Sequence, residues 1–134
     1  MILIVVMIGT AADLLLLAHY EDAWQLAPLI LIGAGVVLAT ICAATAPPWA
    51  ILLLRIVMVL FIAAGALGLL LHYSGNAEFQ RELDPQLAGW PLFVKAITAK
   101  APPALAPAVM IQMGLLGLLY TFRHPASGRR LPES

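Results

Sequence analysis

Apolar residues fill four long stretches of this chain, and polar residues separate them in short intervals. The apolar runs cover residues 2–18, 26–44, 50–72 and 104–122. A run of roughly 17–25 apolar residues lets a helix cross the ~30 Å hydrocarbon core of a bilayer. The pattern therefore predicts an all-α integral membrane protein, a bundle of four transmembrane helices arranged as two αα-hairpins.

The third run is the longest of the four. It carries Arg55 near one end and His72 at the other, with Gly65 and Gly68 among alanines in the middle. Small side chains in a membrane helix let a neighbouring helix approach closely. We therefore expect the third helix to lie inside the bundle, with other helices packed against it.

One long polar segment, residues 74–103, separates the third and fourth runs. Residues 76–83 can form a short helix, and a second helix is predicted to begin at Asp84 and Pro85, with aspartate as the N-cap. Apolar side chains then recur at helical spacing; they are Leu87, Trp90, Phe93, Val94 and Ile97. We predict an extracytoplasmic cap, lying in the interface or over the mouth of the bundle.

Composition strengthens the membrane interpretation. The chain is 63% hydrophobic and 10% charged, with a mean hydropathy of +0.99, whereas soluble proteins are about 45–50% apolar and ~25% charged. The lipid bilayer is therefore the expected partner. A formal net charge of zero argues against nucleic acid, which requires a basic face. The single cysteine, Cys42, lies in an apolar run and is expected to be a small buried hydrophobe.

Basic residues in the short loops predict the orientation. The side that holds both termini collects Arg55, Arg123, Arg129 and Arg130. On the other side, Arg81, Lys95 and Lys100 are diluted by five acidic residues. The positive-inside rule then places both termini, including the tail 123–134, in the cytoplasm and the protein in the inner membrane.

Two short motifs occur twice in the same order. His19-Tyr20 and His72-Tyr73 end the first and third runs, and Leu26-Ala27-Pro28 and Leu105-Ala106-Pro107 open the second and fourth. The order predicts a duplicated helical hairpin, related by an axis along the membrane normal as in parallel-repeat transporters. The alternative is chance, because these residue types are common here.

The repeat places His19 and His72 at equal depth on the extracytoplasmic side. Four acidic residues lie nearby in sequence: Glu21, Asp22, Glu78 and Glu82. Imidazole and carboxylate together can hold zinc or copper, and two histidines can ligate a haem. The competing interpretation is that histidine and tyrosine anchor helix ends at the lipid headgroups.

Three polar residues fall inside or at the edge of the apolar runs, namely Asp13, Arg55 and Gln112. An ionisable side chain within a membrane is costly and usually faces the bundle interior. We therefore expect Asp13 to face the other helices. It would titrate as a proton or cation carrier, or tie helices together through Arg55, or through Thr10 and Gln112.

The leading functional hypothesis is a non-enzymatic inner-membrane binding or accessory subunit, with a polar site on its extracytoplasmic face. One alternative is a small proton-coupled transporter that works through Asp13 as a homodimer. Another is a redox subunit that binds haem or a metal. An enzyme is least favoured, because the sequence has no nucleophile with a base at recognisable spacing and no phosphate-binding loop. A larger membrane complex is a further expected partner.

Overall fold

A computed structural model describes residues 1–18, 20–100, 105–122 and 124. This part of the chain is all-helical and contains no strand, which confirms the predicted helical class. The helices are α1 (Ile2–Leu16), α2 (Ala23–Ala44), α3 (Pro48–Leu83), α4 (Gly89–Ile97) and α5 (Ala108–Thr121). Helices α2 and α3 are long and apolar enough to cross a membrane, whereas α1 and α5 are shorter apolar helices.

Helix α3 is one continuous helix of 36 residues, about 54 Å long at 1.5 Å per residue. The predicted end at residue 72, with a separate helix over 76–83, is therefore wrong. Good helix formers follow Gly75, and no proline interrupts them before Pro85. The helix ends at Leu83 because the residue before a proline, Asp84, is driven out of the α region.

Helix α2 begins at Ala23, three residues earlier than predicted. The Asp22 side chain accepts a hydrogen bond of 2.9 Å from the backbone N–H of Gln25. The Gln25 side chain in turn accepts one of 2.8 Å from the backbone N–H of Glu21. This reciprocal arrangement resembles a capping box and satisfies two backbone donors at the helix start.

The start of α4 also differs from the prediction. Asp84 accepts a hydrogen bond from the backbone N–H of Gln86 within a turn, so it does not cap the next helix. Helix α4 begins only at Gly89. The predicted start of the last helix, residue 104, lies outside the described residues, and α5 begins at Ala108 after a turn.

Four helices form a ring in the order α1, α2, α3, α5, each antiparallel to its neighbours. A Cβ atom added at Gly35 of α2 would lie 3.0 Å from Met7 Sδ and 3.3 Å from Phe61 Cζ. One added at Gly117 of α5 would overlap Met58. The Cβ at Gly117 would also lie 3.5 Å from a methyl carbon of Leu3. Residues 7 and 61 are therefore level across the bundle, as are residues 3 and 58.

The core lies inside this ring and is almost entirely apolar. Its buried members are Met7, Ile32, Ala39, Cys42, Ala50, Ile51, Leu54, Met58, Phe61, Met110 and Met113. The expected close helix approach at Gly65 and Gly68 is confirmed, because a Cβ at either glycine would lie 2.9 Å from an atom of Pro107. Helix α5 is the helix that approaches there.

Helix α4 packs on the end of α3, not across the mouth of the ring. Leu92 and Ala96 of α4 are buried against Ala77 of α3. The amide of the buried Asn76 donates a hydrogen bond of 3.1 Å to the carbonyl of Ala96. Of the apolar side chains predicted to share one face, Trp90, Phe93 and Val94 are exposed, so a position of α4 in the membrane interface stays a prediction.

Candidate functional site

The hairpin formed by the end of α3 and by α4 carries the polar residues that the sequence singled out. His72 is half-buried on α3, and Tyr73 beside it faces α4. The Tyr73 and Phe93 rings lie 5.8 Å apart between centroids, and Phe93 stacks on Trp90 at 5.1 Å. Trp90 is 72% exposed, so this aromatic row runs from the helix contact out to the surface.

Two adjoining surfaces meet at Tyr73. The first is an apolar groove of 280 Å³ between α3 and α4, lined by Leu69, Leu70, Tyr73, Phe93 and Ile97. The second is a broad, open polar depression along α3, lined by Tyr73, Ser74, Ala77, Glu78, Arg81 and Glu82. Together they form a surface that is apolar on one side and mixed in charge on the other. Such a surface suits the binding of an amphipathic partner.

The predicted ligand set divides into three parts. His19 lies outside the described residues, so its approach to His72 stays a prediction. The Asp22 side chain caps the N-terminus of α2, a structural role that the metal hypothesis did not consider, and Glu21 contributes only its backbone N–H there. Glu78 and Glu82 are exposed along α3.

A metal site receives no support from the described residues. Among them, no three His, Cys, Asp or Glu side chains come close enough together to hold an ion. A haem or metal shared by two histidines would depend on His19. The absorbance spectrum of the purified protein tests this alternative directly, since a bound haem gives an intense visible absorption.

The polar residues that were predicted to lie within the membrane are arranged differently from the prediction. The expectation that Asp13 faces the other helices is wrong, because its side chain is exposed on the outside of the ring. Arg55 donates a hydrogen bond of 2.6 Å to the carbonyl of Thr121, at the end of α5. Arg55 lies beside the start of α1, about 18 Å from the level of Asp13 at 1.5 Å per residue, so the two do not pair. Gln112 is also exposed.

Within a single chain, Asp13 does not line a path between helices, because it lies on the outside of the ring. The transporter alternative, which expects a homodimer, therefore stays a prediction that depends on a second copy beside Asp13. Gln112 does not join α5 to a neighbour within the ring, since it too is on the outside.

Two residues that fix helix contacts, one near each end of α3, were not identified from the sequence. Asn76 fixes α4 to α3, whereas the sequence placed it at the start of a separate short helix. Thr121 supplies the carbonyl that Arg55 contacts. An asparagine inside a continuous helix would have indicated a contact with another helix. That inference was not possible while α3 was predicted to end at residue 72.

Comparison of the chain with protein families, with characterised proteins and with solved structures gave no match.

Proposed function

We propose that this chain is a small non-enzymatic protein of the inner membrane, with four spans, that serves as a binding or accessory subunit. The observation that carries the proposal is the apolar exterior of the helical ring. Large hydrophobic side chains are exposed on all four of its helices, for example Val5, Ile30, Val59 and Leu119. Water would penalise so much exposed apolar surface, whereas lipid tails accommodate it.

The dimensions of the ring support four spans despite the short α1 and α5. Between Arg55 and Glu78, α3 has 22 uncharged residues, or about 33 Å, close to the ~30 Å of a hydrocarbon core. Leu3 and Met7 lie level with Met58 and Phe61, so α1, about 22 Å long, runs beside α3 within the same band.

Helix α5 crosses this band in the opposite direction. Pro107, before the start of α5, packs against Gly68 of α3. Gly117, near the end of α5, packs against Met58, which lies earlier in α3. The turn before α5 and the residue after it extend the segment at both ends, which compensates for a helix of 14 residues. An irregular end at the interface is tolerated because water there satisfies backbone groups.

Exposed aromatic residues lie at both ends of the band, as is typical of the two membrane interfaces. Tyr20 and Trp24 lie at the end that carries the α3–α4 hairpin. Trp49 and Tyr120 lie at the opposite end, near Arg55. With the loop charges described above, this arrangement supports cytoplasmic termini and an extracytoplasmic hairpin.

The binding role rests on that hairpin. The last six residues of α3, from Glu78 to Leu83, extend about 9 Å beyond the band. Helix α4 braces this end of α3 through Asn76, and the pair presents Trp90 and Phe79 on its outside. Exposed aromatic residues on a braced element are typical of protein contact surfaces.

Cysteine labelling tests the topology. In a Cys42→Ser background, an impermeant maleimide should label Gln86→Cys in intact cells and Thr45→Cys only after permeabilisation. Val59→Cys, in the middle of the band, should stay unlabelled in both cases. Labelling of positions 86 and 45 from the same side would contradict the proposed spans.

Site-specific photo-cross-linking tests the binding role. A photoreactive residue at position 90 should give a protein adduct of discrete mass in native membranes. The matched control is position 30, which is also exposed but lies within the lipid-facing band. Absence of a protein adduct at position 90 would contradict an accessory subunit that binds through the hairpin.

A further inference from the structure

The carboxylate of Asp13 lies on the outside of the ring, within the apolar band. It is exposed, and within the described part of the chain it forms no hydrogen bond or ion pair. Met7 lies level with Phe61, and Asp13 follows about 9 Å further along, before the level of Tyr73. An ionisable group at this depth is costly unless a partner meets it.

Helix geometry determines the side of the ring on which Asp13 lies. Successive residues of a helix turn by about 100° around its axis, so Leu3 lies about 40° to one side of the buried Met7. Leu3 contacts Gly117 of α5, so this side of α1 faces α5. On that same side Asp13 lies about 120° from Met7, and Gly9 about 160°. A Cβ at Gly9 would meet nothing within 4 Å. Both residues therefore lie on the outer surface next to α5.

Gln112 of α5 lies on the same outer surface. Measured from the buried Met110, Ile111 is turned about 100° toward α3, and Gln112 is turned about 160° in the other direction. Gln112 is exposed, two residues from Gly114. Its depth is therefore within roughly one helical turn of the depth of Asp13.

We propose that the α1/α5 face, defined by Gly9, Asp13 and Gln112, is the contact surface of a homodimer in the membrane. A two-fold axis along the membrane normal sets α1 of one copy opposite α5 of the other. Each Asp13 carboxylate then accepts a hydrogen bond from the amide of the partner's Gln112. Gly9 allows the two backbones to approach closely. This inference rests on the proposed membrane location.

The occupant is a second copy because the face is self-complementary. It carries one acceptor and one donor at similar depth, and an isologous interface needs both on each subunit. Within the ring, α1 and α5 also share the least extensive contact of the four neighbouring pairs. The outer surface over this seam therefore has room for further helix packing.

Cysteine cross-linking between two tagged copies tests the proposed geometry. Both copies carry Cys42→Ser; one also carries Gly9→Cys and the other Val109→Cys, an exposed position on the same face. Oxidation in native membranes should give a dimer that carries both tags. The matched control replaces Gly9→Cys with Gly33→Cys, because Gly33 is equally open but lies on α2. The control pair should remain monomeric.

Energy transfer between labelled copies, measured across a series of lipid dilutions, tests the proposed hydrogen bonds. Asp13→Leu or Gln112→Leu should weaken association about tenfold, since a symmetric interface loses two interhelical hydrogen bonds at once. Asp13→Asn should retain most of the association, because its amide still bonds to an amide. Equal effects of Asp13→Asn and Asp13→Leu would overturn the hydrogen-bonding role.

The same preparations separate failure of the dimer from failure of the membrane proposal. If the wild-type chain stays in alkali-washed membranes but is monomeric, or if position 33 cross-links as well as position 9, the homodimer is wrong. If alkali releases the chain, the membrane location itself fails.

Discussion

Glycines have opposite surroundings in the two helix pairs of the ring, α3–α5 and α1–α2. Between α3 and α5, a Cβ at Gly65, Gly68, Gly114 or Gly117 would meet the other helix at 3.0 Å or less. On α1 and α2, a Cβ at Gly9 or Gly33 would meet nothing within 4 Å. The first group lets two backbones touch, whereas the second leaves open grooves on the outside.

The difference shows which helices hold the fold together. In the proposed membrane location, apolar burial contributes little between helices, so close packing must supply most of the attraction. The α3–α5 pair has that packing along the whole of α5. In α1 and α2 the inner contact depends on the flexible side chain of Met7 at Gly35. We conclude that α3 and α5 form the rigid pair and that α1 and α2 present the adaptable surface.

The largest expected effect comes from filling the α3–α5 contact. In Gly114→Ala, the new methyl would lie 2.6 Å from the carbonyl oxygen of Met58 and 2.6 Å from a side-chain carbon of Ile62. The backbone oxygen cannot rotate away, so the helices must separate. Overpacking of this kind should cost about 1–3 kcal/mol of unfolding free energy. Unfolding in mixed micelles of increasing SDS mole fraction measures it.

The matched control for that substitution is Gly35→Ala. Its methyl would lie 3.0 Å from Met7 Sδ, at the far end of a flexible side chain, and 3.3 Å from Phe61 Cζ, so shifts of a few tenths of an ångström relieve both contacts. We therefore expect a smaller loss of stability than in Gly114→Ala. An equal loss would show that the α1–α2 contact is as rigid as the α3–α5 contact, which would contradict the comparison of the two pairs.

An intermediate effect is expected at the end of the rigid pair. Arg55→Met removes the hydrogen bond to the Thr121 carbonyl, a charged donor at the C-terminus of α5. Because Arg55 is half-buried and the freed carbonyl can bond to water, the loss should be about 1 kcal/mol. The midpoint of thermal unfolding in detergent reports it. Arg81→Met, at an exposed position, should leave the midpoint unchanged.

Much of this fold could be predicted from the sequence, because long apolar runs bounded by prolines indicate helices strongly. The close approach at Gly65 and Gly68 was predicted for the same reason: small residues at helical spacing have few other uses in a membrane. The end of α3 could not be predicted, since polar residues after His72 are compatible with either a loop or a helix. Contact with α4, through Asn76, stabilises the helix there.

The inward and outward faces were harder to predict. Helix α1 is apolar on every side, so its pattern contains no amphipathic period, and the side on which Asp13 lies could not be inferred. Asp22 was different, because the spacing Asp22-x-x-Gln25 is a recognisable capping signal. It was instead grouped with the candidate ligands because it lies near His19 in the sequence.

The duplicated hairpin stays a prediction, with support from the depth of its two proline motifs. The position of Gly68 contacts Pro107. Counting along α2 from Gly35, which is level with Phe61, places Pro28 near that same level. Superposition of α1–α2 on α3–α5 in an experimental structure would test the repeat. Clearly different depths for the two prolines would contradict it.

The smallest effect is expected at the open glycine of α2. Gly33→Ala adds a methyl where there is no neighbour, and alanine is favoured over glycine inside a helix by roughly 0.5–1 kcal/mol. The substitution should therefore raise the unfolding free energy slightly, in contrast to Gly114→Ala, and leave the energy transfer between labelled copies unchanged. The SDS titration and the dilution series measure the two quantities on one sample. If Gly33→Ala instead lowered stability or association, the outer face of α2 would be a contact surface in the native assembly, and the contrast between the two sets of glycines would fail.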